Sequence, residues 1–426
     1  MMTLATFAAT GAAERPSGET LKEHTARIGH GITVQLAMKG LATGGAWTLT
    51  WVGQTASRAN LAYIAQGPDN GYGPVYALVL RGTVGGSPID TAEDMQVGLM
   101  LPFLGGAAGN ISQGAMEAFT DIVMGTDLIQ ALKDCNPTTT LYVVGHSLGG
   151  AMATTMSLYI AHTGIVDYTN ISPYTFAAPT AGDQTFATAF SGQFPWAVRA
   201  ANIYDLVPLA WATLGDLIEW PKNDPYYPFY PASDNTPAGP GPTSGPPPNP
   251  VGIVIDGVLA VLTQLQAEGK SYVQPGEQLS LNIGLEPLFQ WTYPADADTQ
   301  FRQFEVQVGF QHANSTYLAL LEAPVPPARA PVVALVSPPI GIAGTPVTIT
   351  PAGGTTFAQG SVVDFGIVPV PCTVADDGSS ISVVAPPGVG TVDIRVTNKF
   401  GTSPAVPVYP NLTGEPYTDQ FTYQGY

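Results

Sequence analysis

Charged residues are scarce in this 426-residue chain, and basic residues are the scarcest of them. Only 11% of the residues are charged, with 14 Lys and Arg against 32 Asp and Glu, so that the formal net charge is −18. Nucleic-acid binding requires a basic face, and the sequence has no cluster of Lys and Arg to form one. The negative charge also disfavours binding to a strongly anionic membrane surface.

Cysteine is almost absent, and long apolar runs are absent too. The two cysteines, Cys135 and Cys372, are far apart in sequence, which excludes a disulfide framework and a cysteine-based metal site. We expect Cys135 to pack within a helix. The longest apolar runs are too short to span a bilayer, and the N-terminus lacks the basic residues of a signal peptide. We expect a soluble protein without a transmembrane segment, whose location stays open, with a secreted or cell-surface one favoured.

Helix-like and strand-like stretches alternate over the first half of the chain. The helix-like stretches are ETLKEHTARIGHGITVQLAM, ISQGAMEAFTDIVMGTDLIQALKDC and AMATTMSLYIAH. The strand-like stretches are AWTLTWVG, VYALVLRGTV, LYVVG, SPYTFAAPTAGD and AVRAANIYDLVPLA. This alternation predicts an α/β fold with a mainly parallel central sheet that is covered on both faces.

Proline-rich segments divide the rest of the chain. A Pro-rich insertion at about 221–250 interrupts a first domain, which we expect to span 1–322. It is followed by a predicted helix, VGIVIDGVLAVLTQLQAEG, and by a predicted strand pair in GKSYVQPGEQLSL. After a linker at 323–331, short strands alternate with turn signals over 332–410, which is typical of a β-sandwich. Residues 411–426 are expected to form a C-terminal tail.

The stretch LYVVGHSLGGAMATTMSLYIAH carries the strongest chemical signal. It contains the G-x-S-x-G pattern between a predicted strand and a predicted helix, which places Ser147 on a sharp turn above the sheet, near a helix N-terminus. Gly145 and Gly149 leave room for that turn. The pattern and its context favour a nucleophilic serine, and the alternative is a glycine-rich turn in an inactive domain.

A nucleophilic serine needs a base, and the chain offers only five histidines: His24, His30, His146, His162 and His312. His146 is adjacent to the serine, so its side chain should point away from it. His162 lies about 22 Å along the following helix, at 1.5 Å per residue. His24 and His30 are interpreted as surface residues of an earlier helix. His312 alone fits both the geometry and the Ser–acid–His order of α/β-hydrolases; the alternative is a solvated loop histidine.

The acid should follow a strand between the serine and the histidine. Asp205 and Asp183 both do so, and their positions alone leave the choice open. Two backbone N–H groups should also stabilise the oxyanion. One is expected from Leu148, which follows the nucleophile, and the other from Thr83 in the loop after VYALVLRG.

Together these pieces resemble the class 3 lipases, the fungal-type triacylglycerol lipase family. The matching stretches follow the family's order over roughly residues 20–322 and are VYALVLRGTV, LYVVGHSLGGAMA, YTFAAPTAGD, RAANIYDLVPLA and QHANSTY. The resemblance implies an α/β-hydrolase fold with Ser147, Asp205 and His312 as the triad and with Thr83 and Leu148 as the oxyanion hole. It therefore favours Asp205 over Asp183.

The chain departs from the family pattern in two places. The family's tryptophan–aspartate pair in the lid region is replaced by IDTAEDMQVGLMLPF, and the Pro-rich insertion lengthens the segment before the histidine. We expect the lid within Val84–Leu104, where VGLMLPFL either faces lipid or packs in the core.

The C-terminal strands resemble an IPT/TIG domain, which has an immunoglobulin-like fold. Its features are PVVALVSPPIGIAGTPVTITPAG, VVDFG and ISVVAPPGVGTVDIRVTNKFG. It contains no histidine, and we assign it no catalysis. Its role is adhesion, a partner contact or stabilisation of the hydrolase.

These inferences predict a serine ester hydrolase that cleaves acylglycerols at a lipid interface through an acyl-enzyme. No metal and no cofactor are expected to be required. The first alternative is an esterase acting on short-chain, phenolic or polyester substrates. The second is a non-catalytic surface-binding protein on a hydrolase scaffold.

Overall fold

The computed structural model of the chain describes residues 1–12, 20–56, 60–82, 97–135, 138–213, 250–282, 308–324, 333–351, 356–357, 359–366, 368–398, 401–403 and 419–424. Three predicted features lie wholly or largely outside these residues. They are Thr83, the Pro-rich insertion as far as residue 249, and the predicted lid as far as residue 96.

The first part of the chain alternates between strands and helices, as the sequence predicts. Its helices are α1 (Met2–Phe7), α2 (Leu21–Leu36), α3 (Gln113–Gly125), α4 (Leu128–Ala131), α5 (Leu148–Thr163), α6 (Gln184–Gln193), α7 (Pro250–Ala267) and α8 (Asn314–Leu320). Its strands are β1 (Thr48–Gln54), β2 (Leu61–Gln66), β3 (Val75–Leu80), β4 (Met100–Pro102), β5 (Asn110–Ser112), β6 (Thr140–His146), β7 (Ile171–Phe176), β8 (Val198–Asn202) and β9 (Gln278–Leu281).

A seven-stranded sheet in the order β1-β2-β3-β6-β7-β8-β9 forms the centre of this part. The pairs β1–β2 and β2–β3 are antiparallel. All pairs from β3 to β9 are parallel. The carboxyl ends of the parallel strands therefore meet at one edge, which is where α/β sheets bind their ligands. The predicted mainly parallel sheet is confirmed.

Both faces of the sheet are buried. Alternate residues of each strand point to opposite sides, and each side packs in its own apolar cluster. On one side, Leu78 and Leu80 of β3 pack in a cluster with residues of α3, α5 and α6. On the other side, Ala77 and Val79 pack in a cluster with residues of α1, α2 and α8. Helices therefore cover both faces, as expected from the near-continuous apolar strands.

Side-chain caps start several of the helices. Thr20 and Glu23 form a reciprocal capping box at α2, Ser112 caps α3, and Asp183 caps α6. Each cap pairs a backbone N–H of the first helical turn that would otherwise lack a partner.

The C-terminal part is built from strands in two sheets. Its strands are β10 (Val333–Ser337), β11 (Ile340–Gly341), β12 (Pro346–Pro351), β13 (Val362–Phe365), β14 (Val368–Val370), β15 (Cys372–Val374), β16 (Ile381–Val384), β17 (Thr391–Asn398), β18 (Gly401–Thr402) and β19 (Gln420–Tyr423). One sheet has the order β10-β12-β16-β15 and the other β11-β19-β17-β13-β14, with β18 beside β17. Strands of both sheets contribute to a single apolar cluster that includes Val336, Ile349, Phe365, Ile381, Ile394 and Phe421.

Four expectations need correction. In GKSYVQPGEQLSL only β9 is a strand, and it pairs with β8, since the parallel sheet offers it an edge. Cys135 is buried but lies just beyond a short 3-10 helix, in extended backbone. The predicted tail contains β19, which pairs with β11 and β17. His24, expected at the surface, is fully buried in α2.

Candidate active site

Ser147 lies on the sharp turn between β6 and α5. Its backbone has φ 60° and ψ −135°, a conformation that is unusual for a residue with a side chain. The turn is fixed by a hydrogen bond from the Ser147 N–H to the Phe176 carbonyl, with an N···O distance of 2.9 Å. This strained strand-to-helix turn is the nucleophile elbow that the G-x-S-x-G pattern predicts.

Glycine is required at two positions of the elbow. A Cβ atom on Gly145 would collide with the backbone of Gly149, and a Cβ atom on Gly149 would collide with the carbonyl oxygen of Leu80. Because backbone atoms cannot move aside as a flexible side chain can, β6, α5 and β3 approach this closely only with hydrogen at both positions.

His312 and Asp205 meet the serine in one hydrogen-bonded chain. The Ser147 Oγ atom lies 2.9 Å from His312 Nε2. On the other side of the ring, His312 Nδ1 lies 2.8 Å from Asp205 Oδ2 and 3.1 Å from Asp205 Oδ1. A proton on Nδ1 satisfies the carboxylate and leaves Nε2 free to accept the serine proton. The structure thus brings together the three residues that the sequence predicts for a triad.

Two loops at the carboxyl edge of the sheet deliver these partners. Asp205 follows the end of β8, and its Oδ1 atom accepts the Val207 N–H at 3.0 Å. His312 ends a helical turn at 308–312, directly before α8. The two loops are tied together by Asn202, whose Nδ2 atom lies 2.6 Å from Oε1 and 3.1 Å from the carbonyl oxygen of Gln311.

Tyr317 binds Asp205 on its buried side, and the sequence analysis did not identify this residue. Its ring is fully buried, and its hydroxyl donates to Asp205 Oδ2 at 2.8 Å. The hydroxyl oxygen of Tyr317 also accepts a hydrogen bond from the Asn202 N–H at 2.9 Å. The available signal was a tyrosine five residues after His312 in a helix-like stretch.

The rival acid has a different task. Asp183 caps α6 through the Phe186 N–H at 2.9 Å. It also accepts from the backbone N–H and the side-chain amide of Asn110, at 3.1 and 2.6 Å. These bonds join α6 to β5, so Asp183 has a structural role where it lies.

The other histidines have different surroundings from His312. His30 is exposed on α2, and His162 is exposed in the last turn of α5, as the helix length predicts. His146 was expected to point away from Ser147, which stays a prediction, and its ring packs against the ring of His312, with centroids 4.7 Å apart. Burial is the main cause that lowers the pKa of His146, and the nearby His312 lowers it further.

The oxyanion side of the turn is partly described. Leu148 is the first residue of α5, so its N–H is one of the donors at the helix N-terminus that have no partner within the helix. The loop after β3 passes close above it, because a Cβ atom on Gly82 would lie 3.1 Å from Ser147 Cβ and 3.4 Å from Leu148 N. Thr83 lies outside the described residues, so its place in this site stays a prediction.

The described ranges show neither a metal cluster nor a membrane-spanning helix. There, no group of three or more His, Cys, Asp and Glu side chains could hold a metal ion. Likewise, within the described helices none is long and apolar enough to cross a membrane.

Comparison with known proteins relates this site to lipases. Residues 77–214, which include Ser147 and Asp205, match the model of the class 3 lipase family. Lipase ZK262.3 of Caenorhabditis elegans is 34% identical over 97 residues, which cover 22% of this chain and 28% of the relative. Secreted mono- and diacylglycerol lipase 1 of Fusarium solani is 31% identical over 103 residues, covering 24% and 30%. The chain thus spans less than a third of the length of these curated relatives.

The fold has a solved counterpart. The crystal structure of M37 lipase has a TM-score of 0.52 and 20% sequence identity, with 75% of this chain and 91% of that chain covered. Together with the mainly parallel central sheet, this similarity shows an α/β-hydrolase fold.

Proposed function

We propose that the protein is a serine ester hydrolase that cleaves acylglycerols. The observation that carries the proposal is the continuous chain from Ser147 Oγ through His312 to Asp205, with contacts of 2.9 and 2.8 Å. The match of residues 77–214 to the class 3 lipases supports it. The acylglycerol substrate is supported by the name of the Fusarium solani relative, a mono- and diacylglycerol lipase.

The reaction begins when Ser147 Oγ attacks the ester carbonyl carbon while His312 Nε2 takes the hydroxyl proton. Asp205 holds the Nδ1–H of the ring and stabilises the imidazolium that forms. The tetrahedral intermediate carries its charge on the former carbonyl oxygen, which the N–H of Leu148 and the N–H and hydroxyl of Thr83 stabilise. His312 then returns the proton to the leaving alcohol, and an acyl-enzyme remains.

Water resolves the acyl-enzyme by the same steps in reverse order. His312 Nε2 removes a proton from the attacking water, and the second tetrahedral intermediate collapses to release the fatty acid and Ser147 Oγ–H. Every proton transfer uses one histidine nitrogen, so these steps call for no cofactor.

Replacement of the nucleophile tests this proposal. Ser147→Ala should remove hydrolysis of p-nitrophenyl esters, because no other hydroxyl touches His312 Nε2 among the described residues. Ser157→Ala is the matched control, since this serine lies on the same helix and its hydroxyl donates to the Ala153 carbonyl at 2.7 Å. Retention of most activity in Ser147→Ala would overturn the assignment.

The substrate class requires a separate experiment. The rate of hydrolysis is measured for p-nitrophenyl esters of increasing chain length, and then for triacylglycerol in solution and in emulsion. These rates distinguish a lipase from an esterase on short-chain, phenolic or polyester substrates. Preference for long chains and a rise in rate at the emulsion surface are expected. A preference for short soluble esters without that rise would favour the esterase.

We also propose that the C-terminal sheets form a separate structural unit. The apolar cluster shared by the two sheets supports an immunoglobulin-like sandwich of the IPT/TIG type, with no part in the chemistry. A variant of the chain truncated after the predicted linker should keep its activity on soluble esters if that is so.

A further inference from the structure

His146 is a buried part of the site that the steps above leave unused. It is the last residue of β6 and lies two positions after Val144, so both side chains point to the same face of the sheet. Val144 packs in the cluster with residues of α1, α2 and α8. Its ring therefore faces the side of the sheet that carries α8. There the ring centroid lies 4.7 Å from that of His312 and 5.4 Å from that of Tyr317, the latter contact being edge to face.

The ring of His146 also holds the main chain of His312. One of its nitrogens forms a hydrogen bond with the His312 backbone. Nε2 is buried and has no hydrogen-bond partner in the described structure. The donor is therefore Nδ1–H, and Nε2 is unprotonated, which makes His146 a neutral ring with its single proton on the backbone contact.

The segment carrying His312 is thus held at two successive carbonyl groups. Asn202 binds the carbonyl of Gln311 at 3.1 Å, and the His146 ring binds that of His312. The two contacts come from the ends of β8 and β6, which lie on either side of β7 in the sheet. Together they fix the direction from which the imidazole approaches Ser147.

We propose that His146 is a positioning residue: its neutral ring fixes the backbone and the ring plane of His312 between Ser147 and Asp205. This inference rests on the proposed function, because it concerns the base of that reaction. His146 touches neither Ser147 Oγ nor an ester in any step, and it acts through His312 alone.

The neutrality of His146 follows first from its burial and then from its neighbours. The titratable side chains against its ring are His312, from the turn at 308–312, and Tyr317, from α8. A positive charge on the His312 ring therefore disfavours a second positive charge on His146. Burial, and then the nearby His312, hold the pKa of His146 well below its ordinary value, so its ring stays neutral.

Two substitutions at His146 distinguish the effect of the ring's packing from the effect of its N–H donor. His146→Phe keeps a flat ring and loses the N–H group, and His146→Gln keeps an N–H group and loses the ring. His162→Phe is the control, since His162 is exposed in the last turn of α5. Loss of one neutral hydrogen bond corresponds to a roughly 2- to 12-fold change in rate. We expect kcat of His146→Phe to fall about tenfold at unchanged KM, and His146→Gln to stay within about threefold of wild type.

A measurement without turnover supplies the second readout. Histidine-labelled protein contains five imidazole rings, each with two nitrogens visible by nitrogen NMR, and wild-type His312 should show a single Nδ1–H tautomer. In His146→Phe we expect this signal to broaden or to mix tautomers, while His146→Gln and His162→Phe keep it.

The outcomes are distinct. Equal kcat and an unchanged His312 tautomer in both His146 variants would overturn the inference. An equal loss in both variants, accompanied by equal loss of thermal stability, would also overturn it, because it would indicate general packing. If wild type hydrolyses no ester but the His312 tautomer still depends on the donor at position 146, the proposed function fails and the contact stands.

Discussion

Removal of the Tyr317 hydroxyl should lower both the stability of the protein and the rate of hydrolysis, because the hydroxyl binds Asp205 in the interior. In Tyr317→Phe, Asp205 loses a donor at 2.8 Å and the Asn202 N–H loses its acceptor at 2.9 Å. A hydrogen bond to a charged group contributes about 1.5 to 3 kcal/mol, and an unpaired buried N–H costs about 1 to 3 kcal/mol. The two effects share one hydroxyl, so we expect the free energy of unfolding to fall by about 2 to 4 kcal/mol.

The effect on catalysis should be smaller than the effect of losing the acid itself. Asp205 keeps its bonds to His312 and to the Val207 N–H, so the order of the triad is preserved. We expect kcat to fall about tenfold, which corresponds to about 1.4 kcal/mol of transition-state stabilisation.

Urea unfolding followed by circular dichroism measures the stability change in the full chain. Tyr72→Phe is the control, because Tyr72 is 89% exposed. If Tyr317→Phe unfolds at the same urea concentration as Tyr72→Phe and keeps full activity, the hydroxyl does not support Asp205 and the reasoning is refuted.

The remaining predictions concern the rival acid, the buried histidine and the elbow. Asp183→Ala should lower stability by about 1 to 2 kcal/mol and keep most activity, whereas Asp205→Ala should remove it; equal activities would reverse the assignment. The lowered pKa of His146 means that the unfolded chain binds a proton there which the folded chain does not, so urea midpoints should fall as the pH drops below 6.5. His146→Phe should flatten that dependence, and an unchanged slope would contradict the assigned burial. Gly149→Ala should give an inactive, destabilised protein, because its Cβ would meet the Leu80 carbonyl; wild-type activity would show that the elbow tolerates a side chain.

Local sequence patterns predict the elements of the central sheet well. The apolar runs before Gly145 and after Leu148 form β6 and α5, and the helix length correctly separates His162 from Ser147. These properties depend on residues close together in sequence, for which apolar periodicity is a direct signal.

Contacts between distant segments were harder to predict. The bond from Tyr317 to Asp205 joins residues 112 positions apart, and that from Asn202 to Gln311 joins residues 109 apart. Two aspartates follow strands in similar ways, and their local positions do not show that Asp183 caps α6 and binds Asn110 whereas Asp205 binds His312. Local pattern also misled for His24, since a polar residue in a helix is expected at the surface but here faces the interior.

Peptide mapping after reaction with a fluorophosphonate tests the central claim most directly. Such a probe phosphonylates a serine that a neighbouring base activates. We expect one labelled peptide containing Ser147 in wild type, with labelling slowed strongly in His312→Ala and unchanged in His162→Ala. No label on Ser147, or equal labelling in His312→Ala, would contradict a nucleophile activated by His312.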